Sequence, residues 1–206
     1  MIRTIPITTL FLDIGGVLLT NGWDQHARRR AAKHFKLEWA GMEERHALNF
    51  ETHEEGRMTF EEYLNRVIFH QKRPFTRAQF RHFMCAQSMP YHETIDLIAR
   101  LKAQHGLKIT VVSNESRELN YYRIEKYGLR KTFRLFVSSC FVGVRKPERD
   151  IYRLALEITQ IPADECCFID DRALNLECAS KLGMHTIEMQ QVEQLRADLA
   201  KLGVSP

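Results

Sequence analysis

From about residue 90 to the C-terminus, short apolar runs of strand length alternate with helix-length stretches, and this alternation limits the possible folds more than any other feature. The runs are LKITVVS (107–113), LFVSS (135–139), CCFID (166–170) and MHTIEM (184–189). Helical patterns cover 92–105, 116–127, 147–158, 172–182 and 192–202. Gly106, Gly128 and Gly183 follow three of them where a helix C-terminus wants glycine. Pro147 is expected in the first turn of its helix. Strands that alternate with helices in this way imply a parallel sheet with crossovers on both faces.

One further run of the same kind stands apart near the N-terminus, in LFLDIGGVLL (10–19). A strand buried on both faces reads as a continuous apolar run, yet this one carries Asp13 and then two glycines. A buried carboxylate is costly unless something pairs with it. Residues 21–87 contain no convincing strand. Thr59 with Glu62 and Thr76 with Gln79 read as capping boxes, and residues 23–35 and 42–55 read as two earlier helices. The expected fold class is therefore α/β: a doubly wound, Rossmann-like parallel sheet with a small helical bundle inserted after the first strand. The core would comprise residues 1–19 and 90–206, and the helical cap residues 20–89.

Composition narrows the function classes. The chain has 206 residues, 44% apolar and 27% charged, the balance of an ordinary soluble globular protein. Its net charge of +4 is mild, and acidic residues interleave with the basic ones, which argues against nucleic acid as a partner. Arg28, Arg29, Arg30 and Lys33 are read as a solvated helix face. Five cysteines without a C-x-x-C pair fit buried, reduced thiols. The N-terminus does not read as a signal peptide and no run is long enough to span a membrane, so a cytoplasmic protein is expected.

In doubly wound sheets, ligands bind beyond the carboxyl ends of the strands. Asp13, Ser113 with Asn114, and Asp170 with Asp171 each end an apolar run and meet at that edge. Lys146, in GVRKPERDIY, joins them. Three carboxylates offer hard oxygens for Mg²⁺, and a lysine with a hydroxyl suits a phosphoryl group. Adjacent acids at Asp170–Asp171 repel unless a cation is near. Asn175 could brace the acidic loop or face solvent. Trp23 and Trp39 are read as cap core.

These four segments, in this order, resemble the haloacid dehalogenase-like hydrolase superfamily, in particular its helical-cap phosphatases with a D-x-G-G-V first motif. The resemblance implies that Asp13 is the nucleophile, forming an aspartyl-phosphate. It implies Mg²⁺ held by Asp13, Asp171 and the Gly15 carbonyl, with Asp170 orienting the site. Ser113 and the amide after it, at Asn114, would hold phosphoryl oxygens, and Lys146 would neutralise them. The expected substrate is a small phosphorylated metabolite. One position departs from the pattern: the second Asp that these phosphatases carry two residues after the nucleophile, to protonate the leaving oxygen, is Gly15 here. General acid catalysis is worth ~10² to 10⁴ in rate. Asp24 or His26 could replace it, the substrate could have a good leaving group, or the protein could bind a phosphorylated ligand and turn it over poorly. A metal-independent haloacid dehalogenase is the remaining enzymatic alternative.

Overall fold

The computed structural model describes residues 6–205. In chain order it runs β1 (Thr9–Leu12), α1 (Gln25–His34), α2 (Trp39–Ala47), α3 (Phe50–Glu54), α4 (Phe60–Val67), α5 (Arg77–Ala86), α6 (His92–His105), β2 (Lys108–Ser113) and α7 (Arg117–Lys126). It continues through β3 (Leu135–Ser138), α8 (Ser139–Val142), α9 (Arg149–Thr159), β4 (Cys166–Asp170), α10 (Ala173–Lys181), β5 (His185–Glu188) and α11 (Val192–Lys201). The five strands form one sheet in the order β3-β2-β1-β4-β5, every pair parallel.

Successive side chains on a strand point to opposite faces, and the two cores follow that rule. Leu10, Leu12, Val111, Cys167 and Ile169 face one side, where they meet Leu97 and Leu101 of α6 and Leu195 and Leu199 of α11. Phe11, Val112 and Phe168 face the other, against Ile151 and Tyr152 of α9 and Leu176 of α10. The helices thus cover both faces, as expected for a doubly wound sheet. β1 is the central strand, with β2 on one side and β4 on the other, so the strand order reverses beside it. The carboxyl ends of β1, β2 and β4 therefore border the switch-point crevice.

Helices α1, α2, α4 and α5 share a third apolar cluster, with Ala31, Met42, Tyr63, Leu64, Phe80 and Met84 at its centre. Both capping boxes form: the Thr59 and Thr76 side chains accept from the Glu62 and Gln79 backbone amides, whose side chains accept in return. Each such N-cap contributes about 1 kcal/mol. Trp23 and Trp39 pack at the edge of this cluster. The segment leaves and returns through a short antiparallel contact, with Thr20 N–H donating to Met89 O at 2.8 Å and Tyr91 N–H to Leu18 O at 2.9 Å.

Three expectations need correction. The stretch 42–55 is two helices, because the Asn49 side chain donates to Arg45 O at 2.7 Å and competes with the helical backbone there. Pro147 does not open a helix. The Lys146–Pro147 peptide is cis and α9 begins at Arg149, while both backbone groups of Lys146 are held by the Asn114 side chain. Arg28 does not belong to a solvated face: it is buried and pairs with Glu43.

Candidate active site

Asp13 follows the last residue of β1, and its N–H still donates to Ile169 O of β4 at 3.0 Å. The sheet ladder thereby fixes where the carboxylate points. Its Oδ1 accepts from Ser113 Oγ at 2.6 Å and from Ile14 N at 2.7 Å. Its Oδ2 lies 3.0 Å from Lys146 Nζ. The lysine is 1% exposed and reaches Asp170 Oδ2 at 2.6 Å. Asp170 in turn accepts from Arg172 N at 2.9 Å and from Asn175 Nδ2 at 2.9 Å. Asn175 therefore braces the acidic loop, one of the two readings its position allowed. Asn114 donates to Lys146 O and accepts from Lys146 N, both at 2.8 Å, so its side chain clips the lysine's backbone in place.

Burial works against every charge in this group. It raises Asp13 to about 6; Asp170 adds to the rise, while Lys146 and Ser113 oppose it. Burial also pulls the Lys146 ammonium down, but Asp13 and Asp170 together outweigh it and leave the ammonium above its ordinary value. Lys146 is thus held charged.

Asp171 completes the edge. Its Oδ2 accepts from Asn21 Nδ2 at 2.8 Å, whereas its Oδ1 is buried with no partner. An unpartnered buried carboxylate oxygen costs free energy, a cost that a cation there would relieve. Asp13, Asp170 and Asp171 each offer an oxygen within 4.8 Å of the others, which suits a hard divalent ion. Gly16 allows this approach. Its φ is +70°, and a Cβ there would lie 2.2 Å from the Asp171 carboxylate. Gly15 differs: its space is taken by Asn21, whose Oδ1 would meet a Cβ at 2.7 Å.

A cavity of about 380 Å³ opens above this edge and is closed on its far side by the helical segment. There the Tyr63 hydroxyl accepts from Trp23 Nε1 at 2.8 Å and lies 2.8 Å from His46 Nδ1. A tryptophan N–H only donates, so the Tyr63 oxygen accepts there, and its second bond, with His46 Nδ1, runs in the direction that the histidine tautomer sets. Burial, assisted by Arg28, lowers His46 to about 3 and keeps it neutral. His53 stacks on Tyr63 with ring centroids 4.5 Å apart. Arg28 grips Glu43 through two hydrogen bonds, at 2.6 and 2.8 Å. Nearer the sheet, buried Glu115 pairs with Arg123, and burial raises this carboxyl to about 7. Arg145 reaches Glu54 at 2.8 Å and Glu51 at 3.2 Å.

The residues singled out from the sequence, Asp13, Gly15, Asn114, Ser113, Lys146, Asp170 and Asp171, all lie at this one edge. Of the two candidates for a replacement acid, His26 is exposed on α1, and Asp24 lines the cavity but spends one oxygen capping α1 through Ala27 N at 2.7 Å. Asn21, Glu115, Arg123, Arg145 and the Tyr63–His46 pair were not anticipated. Only Arg145 and Glu115 carried a hint, as neighbours of Lys146 and Asn114.

A five-stranded parallel sheet covered by helices on both faces, with this acid–lysine cluster at its switch point, defines a Rossmann-like α/β fold. The family model described as haloacid dehalogenase-like hydrolase matches residues 7–183, and the chain belongs to that family of enzymes. Among curated relatives, it is similar to a chloroplast flavin mononucleotide hydrolase of Arabidopsis thaliana. The two are 34% identical over 67 residues, 32% of this chain and 27% of that one. It is also similar to a glyceraldehyde 3-phosphate phosphatase of Methanocaldococcus jannaschii, 27% identical over 101 residues, 48% and 44% of the two chains. Both matches span less than half of the relative's length. Among solved structures, a HAD family enzyme of Bacteroides thetaiotaomicron in complex with magnesium superposes with a TM-score of 0.76 at 22% identity, covering 89% of this chain and 93% of that one.

Proposed function

We propose that the protein is a Mg²⁺-dependent phosphatase of small phosphorylated metabolites, with Asp13 as the nucleophile. The observation that carries this reading is the pairing of Asp13 with Lys146 at 3.0 Å beside the partnerless Asp171 Oδ1. Asp13, Asp171 and the Gly15 carbonyl would hold the ion, with Asp170 as brace. When bound, Mg²⁺ would supply charge neutralisation and alignment of the phosphoryl group. Lys146 cancels the repulsion between a carboxylate nucleophile and a phosphate dianion. Ser113 Oγ, once its proton turns from Asp13, and the amide of Asn114 would donate to phosphoryl oxygens. Residues 20–89 would act as a cap over a core of residues 1–19 and 90–206, covering the cavity above the sheet edge. The phosphatase and hydrolase relatives support this reading.

A metal-independent dehalogenase is disfavoured by the same partnerless oxygen, because a third carboxylate without a cation repels an anionic substrate. Hydrolysis of p-nitrophenyl phosphate with Mg²⁺, with EDTA, and by Asp13→Asn is the test. Turnover that requires both Mg²⁺ and Asp13 is expected. Equal rates in EDTA would remove the metal from the mechanism, and an active Asp13→Asn variant would remove the nucleophile. Tight phosphate binding without turnover would favour the alternative of a phosphate-ligand-binding protein.

A further inference from the structure

We infer that Asn21 occupies the place of a side chain at position 15, anchors Asp171, and leaves the leaving oxygen without a proton donor, so that the site takes phosphate compounds whose leaving group departs as a stable anion. Acyl, enol and aryl phosphates and phosphoanhydrides form that class. This inference rests on the phosphatase reading.

Two observations carry it. The first is spatial. Gly15 lies two residues from Asp13 and lines the cavity, and its backbone, unlike that of Gly16, is one any residue adopts. The room for a side chain there is filled by Asn21 Oδ1, 2.7 Å from where a Cβ would stand. The amide's Nδ2 is spent on Asp171 at 2.8 Å. An amide does not exchange its proton as an acid, so nothing protonates the leaving oxygen from this position.

The second is a census of the other acids around the cavity, made among the described residues. Asp24 caps α1. Glu43 is gripped by Arg28, Glu54 by Arg145 and Glu115 by Arg123. His46 is bonded to Tyr63 and held neutral by burial, and burial lowers His53 as well, so neither ring is an imidazolium near neutral pH. Most of the cavity's carboxylates are thus committed to cations or amides; Glu115, which burial raises to about 7, is the one that would hold a proton near neutral pH, and it is turned to Arg123.

The reaction then balances without an acid. Asp13 Oδ attacks phosphorus, the bond from phosphorus to the leaving oxygen breaks, and its electron pair departs with that oxygen as an anion. Water next attacks the phosphorus of the aspartyl-phosphate and the bond to Asp13 breaks. The carboxylate is restored and both water protons leave on dihydrogen phosphate.

The test compares kcat/KM, with Mg²⁺, for acetyl phosphate, a series of substituted phenyl phosphates and glycerol phosphate. Acetyl phosphate and the most acidic phenols should be favoured over the alkyl ester by at least about 10²-fold, the low end of what a general acid supplies. Gly15→Asp combined with Asn21→Gly makes room for a carboxyl. It should raise alkyl ester turnover by about 10²-fold and leave acetyl phosphate unimproved. Asn21→Ala alone should weaken Mg²⁺ binding, read by calorimetry, about 10- to 100-fold, with the dependence on leaving group unchanged. A flat dependence in the wild type would overturn the inference while sparing the phosphatase reading. A changed dependence in Asn21→Ala would do the same, by showing that the amide assists departure. Turnover of none of these compounds would overturn the phosphatase reading and the inference with it.

Discussion

The two walls of the cavity handle charge in opposite ways. The sheet edge gathers three carboxylates, Asp13, Asp170 and Asp171, around one ammonium, Lys146, and leaves Asp171 Oδ1 without a partner. The helical wall closes its accounts: Arg28 is matched by Glu43, and Trp23, Tyr63 and His46 form a neutral chain of hydrogen bonds. An unbalanced wall with excess negative charge attracts a cation, and on the proposed function that cation would admit a phosphoryl group. A balanced one offers shape and hydrogen bonding but little field. On the proposed function, the difference divides reaction and selection between the walls.

The largest expected effect breaks the unbalanced wall. Lys146→Met would leave Asp13 and Asp170 buried without their cation, at a cost of about 3–5 kcal/mol, and would lower turnover by about 10²- to 10³-fold or more. Urea unfolding beside the p-nitrophenyl phosphate assay measures both. A stability change below about 1 kcal/mol would mean that the two carboxylates do not depend on this ammonium.

Next comes the pH dependence of the balanced wall. The unfolded chain protonates His46 at its ordinary value of 6.5, whereas the folded protein resists protonation down to about 3. The unfolded state therefore binds more protons between those values, and stability falls as the pH drops through that window. The slope contributed is up to about 1.4 kcal/mol per pH unit. His46→Gln should remove that contribution, and denaturant titrations at pH 7, 6 and 5 would reveal it. An unchanged slope in the variant would place the acid sensitivity elsewhere.

The smallest effect sharpens the division of labour. Tyr63→Phe removes one buried hydroxyl and strands the Trp23 donor and His46 Nδ1, for about 1–3 kcal/mol. If the helical wall selects and does not react, KM should change more than kcat. A fall in kcat alone would move this wall into the chemistry.

Legibility followed the same boundary. Asp13, Ser113 and Asp170 could be read because each ends an apolar strand, and parallel strands bring their carboxyl ends to one edge. Lys146 and Asp171 came with them through the motifs. The capping boxes were equally plain, since their partners sit three residues apart. Asn21 gave no such signal: eight residues beyond Asp13 in an Asn-Gly turn, it reads as a loop residue. Arg28 was misread for a related reason. A run of three arginines looks solvated, and only the packing of α1 against α2 brings Glu43 onto Arg28. Trp23, His46 and Tyr63 lie on separate elements, so their chain of hydrogen bonds has no trace in spacing.

The sequence by itself determined the parallel sheet, the helical segment after its first strand, and the acid-rich edge, because these depend on local periodicity and on the polarity of strand ends. Only the tertiary structure decided which side chain fills the place beside Gly15, which acids are already paired, and how the helical wall meets the sheet. Those outcomes depend on contacts between residues far apart in the chain, where packing chooses among faces that the sequence leaves equivalent.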